Sequence, residues 1–307
     1  MGDLKVQKTQ QQKRSIAELA AIVFALIIII LFMVTRYFQG LNTQLFEERK
    51  AHLIELTNKV SEVIDSVGAS SWNQVYACEH IITHADRLGT SQELVELLQS
   101  TEDFIDTETS LAVAIDSDGN YYASDGNTGY WTSSEMIALM EGGREQAIAE
   151  IPHLRGAYFL FIERLSHPAE LQETGKRVTH VVLAVSMDSV REELSVSGFG
   201  DECYSYIINR DGRRLYEYTY DKNFLKNFNI LRTIEEYPVV NGGTHEELRE
   251  MLRRGESTAL EFQYEDEAAG ETRNWFVANA DIQSTGWQVL LFVPTDVLGA
   301  HSNLMLN

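Results

Sequence analysis

Several short stretches of this 307-residue chain bring metal-binding or catalytic residue types together, and each lacks a part that its chemistry requires. Asp116-x-Asp118-Gly119-Asn120 offers oxygen ligands, yet the glycine stands fourth rather than sixth and no glutamate closes a calcium loop. A tight turn is the better reading. His245-Glu246-Glu247-Leu248-Arg249 begins like a zinc-protease helix, but Arg249 stands where the second histidine belongs. His80 and His84 share a helix face at i, i+4, with no third ligand nearby in sequence. There is no Gly-x-Ser-x-Gly, and the eight histidines show no spacing tied to a serine or cysteine nucleophile. The expectation is a chain without a catalytic constellation, metal or cofactor. Cys78 and Cys203 could pair or could each be a small buried apolar residue, and the sequence leaves both open.

Binding chemistry has better support. Aromatic residues gather at Tyr121, Tyr122, Tyr130, Trp131, Tyr158, Phe159 and Phe161, with Ser124, Asp125, Glu163, Arg164 and His180 between them. Aromatic walls with a few aimed polar groups are how small-ligand pockets are built. In Asp125-Gly126-Asn127-Thr128-Gly129-Tyr130-Trp131, two large rings in a glycine-rich loop need a surface to cover. The candidate ligand-binding set is Tyr122, Ser124, Asp125, Tyr130, Trp131, Tyr158, Phe161 and Arg164. Strand alternation sends Phe159, Phe161 and Glu163 to one face and Tyr158, Leu160, Ile162 and Arg164 to the other. Tyr158 with Arg164 suits an anionic or carboxylate ligand, Phe161 with Glu163 a cationic one. The pattern does not say which face is open.

These residues need elements to hold them, and the charge distribution starts that account. The chain carries 25 basic and 46 acidic side chains, a net charge of -21, which excludes nucleic acid as a partner because phosphates would be repelled. Its 44% hydrophobic content excludes wholesale disorder. The first 36 residues run against the trend, with five basic groups and two acidic ones. Within them Ile16 to Val34 carries Glu18 as its single charge and spans about 28 Å as a helix, close to the thickness of a bilayer core. No Ala-x-Ala follows it, so a retained anchor is expected, with the basic tail in the cytoplasm and the rest extracytoplasmic.

From Leu41 to Ile82 the pattern is one long helix with a stripe at Leu53, Leu56, Val60, Val63 and Val67, suited to a two-helix seam or to a core edge. Strand signals then appear at Leu111 to Ile115, Tyr121 to Ser124, Ala157 to Leu165 and Val178 to Ser186, with helices from Ser133 or Ser134 through Met140 and from Asp188 to Leu194. The order repeats: strands at Tyr204 to Asn209, Arg214 to Tyr218, Thr258 to Tyr264, Asn274 to Asp281 and Trp287 to Val293, with helices around Phe224 to Glu236 and Glu246 to Arg253. Gly119 and Gly212 fall 93 residues apart in equivalent turns. This is a duplicated α+β unit, each copy an antiparallel sheet with helices on one face.

A basic tail, one span, a long helix and two strand–Asp-Gly–strand modules resemble the double Cache sensor region of bacterial transmembrane receptors, whose modules are PAS-like. Tyr206-Ile207-Ile208-Asn209-Arg210-Asp211-Gly212 and Gly286-Trp287-Gln288-Val289-Leu290-Leu291-Phe292-Val293-Pro294 carry the resemblance most specifically. It implies a cytoplasmic tail at 1–15, a transmembrane anchor at 16–36, a long spacer helix at 37–85, a membrane-distal module at 86–196, a membrane-proximal module at 197–301 and a stub at 302–307. It also implies a small-molecule ligand in the distal module, a membrane partner, a possible homodimer through the long helix, and an output of histidine kinase, diguanylate cyclase or chemotaxis type. Amino-acid-binding double Cache modules carry Arg two residues before a Trp-Tyr pair. Gly129 stands there in this chain and the pair is reversed, so amino-acid specificity is not implied. Fourteen residues follow Val293 without a second apolar span, and the expectation is a truncated receptor piece. The competing reading is a surface-anchored adhesin or enzyme tethered by one span.

Overall fold

The computed structural model describes residues 3–85, 88–103, 109–131, 134–151, 153–194, 202–219, 224–266 and 271–298. Helix α1 (Asp3–Thr83) is continuous, and the chain divides at Ala51 into two compact units. In the first unit, Leu26 to Val34 expose 45 to 66% of their apolar surface, which water would penalise and lipid would not. This stretch belongs to a helix long and apolar enough to cross a membrane.

The second unit, from His52, holds two six-stranded antiparallel sheets. The distal sheet contains β1 (Ser110–Asp116), β2 (Asn120–Ala123), β3 (Thr128–Tyr130), β4 (Arg144–Ala149), β5 (Tyr158–Leu171) and β6 (Lys176–Ser186), in the order β3-β2-β1-β6-β5-β4. The proximal sheet contains β7 (Tyr204–Ile208), β8 (Arg214–Tyr218), β9 (Val239–Asn241), β10 (Thr258–Asp266), β11 (Glu271–Ile282) and β12 (Trp287–Pro294), in the order β8-β7-β12-β11-β10-β9. The remaining helices are α2 (Ser91–Gln99), α3 (Ser134–Glu141), α4 (Met187–Leu194), α5 (Ile230–Ile234) and α6 (His245–Arg254). Five strands correspond in order between the sheets. The sixth is β3 at one edge of the distal sheet and β9 at the opposite edge of the proximal one.

Duplication extends to single hydrogen bonds. Asp116 Oδ1 accepts from the backbone N–H of Asp118 and of Asn120, both at 2.9 Å. Asn209 Oδ1 accepts from Asp211 N–H at 3.1 Å and Arg213 N–H at 2.9 Å. In each turn the glycine adopts positive φ, +87° at Gly119 and +80° at Gly212, which disfavours any side chain there.

One face of each sheet lies against α1. Ile64, Trp72, Val75, Cys78 and Ile82 form a common core with Phe159, Phe161 and Leu183 of the distal sheet and Ile207, Trp287 and Val289 of the proximal sheet. Phe159 and Trp287 stack across the module boundary with centroids 5.0 Å apart. Each fully buried side chain of this size contributes roughly 2–3 kcal/mol. Gly68 lets α1 approach the β11–β12 turn, because a Cβ there would run into Ser284.

Three features differ from the sequence reading. The buried line of α1 runs through Leu53, Thr57, Val60, Ile64, Ser71, Val75, Cys78 and Ile82, so Leu53 and Val60 pack inside their own unit while Val63 is 36% exposed. Sequence spacing alone admitted a stripe rotated by part of a turn. The structure adds α2, β3, β4 and β9, whose short or polar stretches carry little periodicity. Helix α5 is five residues long, because Leu225 adopts a left-handed φ of 45° and Asn229 supplies a new N-cap. Of the two cysteine readings left open, the structure has separate burial: no disulfide links Cys78 and Cys203, and burial pushes the Cys78 thiol up to about 11.

Candidate ligand-binding site

The outer face of the distal sheet, away from α1, is assembled in rows by strand register. Tyr121, Ile115, His180 and Arg164 stand side by side on β2, β1, β6 and β5. Ala123, Val113, Val182 and Ile162 form the next row, and Leu111, Ala184 and Leu160 the third. The floor is therefore aliphatic. Trp131, Ile151, Leu154 and Met140 cover it from the segment between β3 and β5.

At one end His153 joins two side chains. Its ring stacks on Tyr121 at 5.3 Å, with Nδ1 2.9 Å from the Tyr121 hydroxyl and Nε2 3.1 Å from Asp125 Oδ2. A carboxylate only accepts, so Nε2–H donates to Asp125, and in the neutral ring Nδ1 accepts from the Tyr121 O–H. Burial opposes ionisation of Asp125, but bonds from the Asn127 side chain and backbone and from His153 outweigh it, leaving the carboxyl below its ordinary pKa. Gly129 makes room for this arrangement, since a Cβ there would meet the Tyr121 ring at 2.8 Å. Trp131 lies edge-on to Tyr121 at 6.0 Å and is 2% exposed. Tyr158 is half-buried, and burial, with Asp188 and Asp125 adding to it, raises its hydroxyl pKa.

At the other end of the Tyr121 row, His180 is 6% exposed. Its Nδ1 is 2.9 Å from Thr179 Oγ1, whereas Nε2 is buried without a hydrogen-bond partner among the described residues. Burial holds its pKa below the ordinary histidine value, the Met140 carbonyl opposes this, and Arg164 adds to the depression. A neutral imidazole nitrogen thus lies beside an exposed guanidinium.

Of the eight candidate residues, the structure brings Asp125, Trp131, Tyr158 and Arg164 to this face. Tyr122 and Phe161 lie on the opposite side, under α1. The Tyr122 hydroxyl donates to Asp116 Oδ2 at 3.1 Å, and burial, with Asp116 close by, pushes it up to about 12. Phe161 packs edge-on against Trp72 at 5.4 Å. The Ser124 hydroxyl accepts from Ala112 N–H at 3.3 Å and pins the end of the hairpin. Tyr130 is 53% exposed and rests on the Gly119 turn. Alternation had left the face undecided, and α1 decides it by covering the side of Phe161 and Glu163. Tyr121 and His180 belonged to the aromatic and polar cluster without being chosen. His153, in a short polar stretch without periodicity, gave no signal.

Among the described residues no group of three or more His, Cys, Asp and Glu side chains gathers as a metal site. His80 and His84 stack on one another at 4.0 Å. A cavity of about 410 Å³ also opens beside α1, lined by Val63, Ser66, Val67, Ser70, Val185 and Val190. Ser71, Gln74, Thr109, Ser110 and Ser189 complete the lining, which is polar but uncharged.

No family model matches this sequence, and no curated protein matches it. Solved structures do match the fold. The periplasmic sensory domain of the Campylobacter jejuni chemoreceptor Tlp1 aligns at TM-score 0.52 and 12% identity, over 82% of this chain and 97% of that one. The extracellular domain of the candidate histidine kinase soHK1S-Z6 aligns at 0.54 and 11%, over 86% and 99%. The ligand-binding domain of the Pseudomonas aeruginosa amino acid chemoreceptor PctB, solved with L-Arg, aligns at 0.52 and 13%, over 83% and 91%. Two six-stranded antiparallel sheets in tandem behind a long apolar N-terminal helix give this chain the fold of the extracytoplasmic sensory domains of chemoreceptors and histidine kinases, the double Cache architecture.

Proposed function

We propose that the chain is the membrane-anchored sensing region of a signalling receptor and that it takes a small metabolite on the outer face of the distal sheet. The observation that carries this reading is the floor of Val113, Ala123, Val182 and Ala184 bounded by polar groups, with His180 Nε2 buried and unmatched. A buried polar atom without a partner costs about 1–3 kcal/mol, and a bound ligand that pairs with it removes that cost. Arg164 on this face favours a carboxylate or other anionic group. Asp125, held ionised beside His153 and Tyr121, favours a donor at the far end. The basic tail places residues 1–15 in the cytoplasm and Tyr37 onward outside. Binding is relayed to a histidine kinase, diguanylate cyclase or chemotaxis output, the outputs that the double Cache resemblance implies. Any self-association through the long helix falls to Leu56 and Val63, since Leu53 and Val60 are buried in their own unit.

The test is a melting screen of small metabolites on the full chain in maltoside micelles. A ligand at a hundred times its dissociation constant adds about 2.7 kcal/mol, a readable shift. Trp131→Ala should abolish the shift produced by a hit. A hit that stabilises Trp131→Ala as fully as the parent places binding elsewhere. For topology, Ser15→Cys and Asn42→Cys in a Cys-free background are treated with an impermeant thiol reagent in intact cells. Position 42 should label and position 15 should not; the reverse overturns the orientation.

A further inference from the structure

We propose a second, anion-binding site on the proximal module, in a cleft of about 230 Å³ between the β7–β8 turn, α5 and α6. Its lining includes Arg210, Arg232, Arg249 and Arg253, with Asp211 and Glu235 as the facing carboxylates. Four guanidinium groups around one cleft run against a chain whose net charge is -21. Mutual repulsion among them is unfavourable unless carboxylates or a bound anion offset it. Carboxylates offset only part. Arg249 is paired with Glu235, and Arg210 is 3.8 Å from Asp281. Arg232 and Arg253 have no acidic partner among the described residues. With Asp281 counted beside the two lining carboxylates, four guanidinium groups face three acidic ones, a surplus of one positive charge centred on Arg232 and Arg253.

The frame that holds these groups is stiff. Asn229 Nδ2 donates to the Asp211 carbonyl at 2.8 Å, and Ile230 N–H donates to the Gly212 carbonyl at 2.9 Å, so the turn carrying Arg210 is tied to the start of α5. Leu231 packs into the space left by the missing Gly212 side chain. Helix α6 opens on a capping box of Thr244 and Glu247, and its Arg249 and Arg253 share one face at i, i+4. The bond from Arg249 to Glu235 closes α6 onto α5. Guanidinium forks of fixed origin bind planar or tetrahedral oxyanions through paired N–H donors better than flexible ammonium groups do. The two arginines without acidic partners and the cleft volume suit a compact oxyanion of the phosphate monoester class. A free phosphate ester and the headgroup of phosphatidic acid share that chemistry. The site is independent of the distal face, and none of its residues belongs to the floor or rim described there.

The full chain in maltoside micelles is titrated with inorganic phosphate and with glycerol 3-phosphate at constant ionic strength, read by calorimetry and by melting temperature. Saturable binding of one equivalent is expected, weakened at least tenfold in Arg232→Gln and in Arg253→Gln and unchanged in Arg177→Gln, an exposed arginine on the distal sheet. The two test residues are exposed, and the melting temperature of each variant without phosphate verifies its fold. Vesicles with and without phosphatidic acid, presented to the chain in nanodiscs, separate the sources. Retained binding of the soluble ester assigns the site to a free metabolite, and binding to phosphatidic acid vesicles with weak free-ester binding assigns it to the headgroup. Absence of saturation with either source, or equal weakening by Arg177→Gln, overturns the site.

Discussion

The outer faces of the two sheets began as the same surface, and they now hold different contents. On the proximal sheet that face is filled from within. Phe224, Leu225, Ile230, Ile234, Leu248 and Leu252 descend onto Tyr206, Phe262, Trp275 and Phe292, with Phe224 at 4.5 Å from Trp275 and 4.9 Å from Tyr264. On the distal sheet the floor is aliphatic, and the ring-bearing groups Tyr121, His153 and His180 stand at its border with heteroatoms attached. A face filled by its own rings gains stability, since aromatic pairs add about 0.5–1.5 kcal/mol beyond burial. The distal face is covered instead by Trp131, Ile151, Leu154 and Met140, and its border carries the His153–Asp125–Tyr121 group and His180 beside Arg164. Under the proposed function, this divergence separates a supporting module from a sensing one.

The largest effect should come from emptying the filled face. Phe224→Ala removes a fully buried ring that touches Tyr204, Tyr264, Trp275 and Phe292. A loss of about 3–5 kcal/mol is expected in chemical denaturation of the full chain, with the ligand-induced shift retained. Trp131→Ala should show the opposite profile, a smaller loss of basal stability and no ligand response. If the two variants behave alike, the division of roles between the modules is wrong.

The paired turns sharpen the comparison at single-atom level. Gly119 and Gly212 have nearly the same φ, so alanine at either place costs about 1–2 kcal/mol of backbone strain. Their surroundings differ. A Cβ at Gly212 would sit 2.6 Å from Leu231, a buried side chain of the filled face, while at Gly119 it would meet the exposed Tyr130 ring at 3.2 Å. Overpacking adds about 1–3 kcal/mol where the neighbour cannot give. Gly212→Ala should therefore be the more destabilising in a melting comparison, and equal losses would mean that Leu231 moves as freely as Tyr130.

Much of this architecture is legible in the residues. The 93-residue offset of Gly119 and Gly212 exposes the duplication, and the apolar run to Val34 exposes the span. Alternation in β5 correctly sorts Tyr158, Leu160, Ile162 and Arg164 from Phe159, Phe161 and Glu163. What alternation cannot supply is which side a distant element covers. Helix α1 settles that through Trp72 and Val75, and neither stood in the expected stripe. Tyr121 and Tyr122 are adjacent and chemically alike, so choosing between them needs the hairpin register with Ile115 and Ala114. His153 reaches the site from a segment with no repeating pattern, and only the folded chain brings it to Asp125.

The smallest expected effect is a pH dependence that belongs to the distal face alone. Among the described residues His180 is the only buried histidine, and its pKa is lowered by burial. The unfolded chain takes up this proton near pH 6.5, while the folded chain does so only at lower pH. Stability from neutral His180 is thus fully present above about pH 6.5 and is lost as pH falls through that value toward the lowered pKa. Groups facing it include Arg164, which disfavours the proton, and the Met140 carbonyl, which favours it. Melting temperature measured from pH 8 to pH 5 should decline, and His180→Gln should flatten part of that decline without steepening it. Among its described residues the proximal sheet carries no buried histidine to contribute such a slope. A bound ligand that donates a hydrogen bond to Nε2 should depress the histidine further and move the decline to lower pH. If His180→Gln leaves the profile unchanged, with and without a ligand found in the screen, the buried nitrogen is not part of the sensing face.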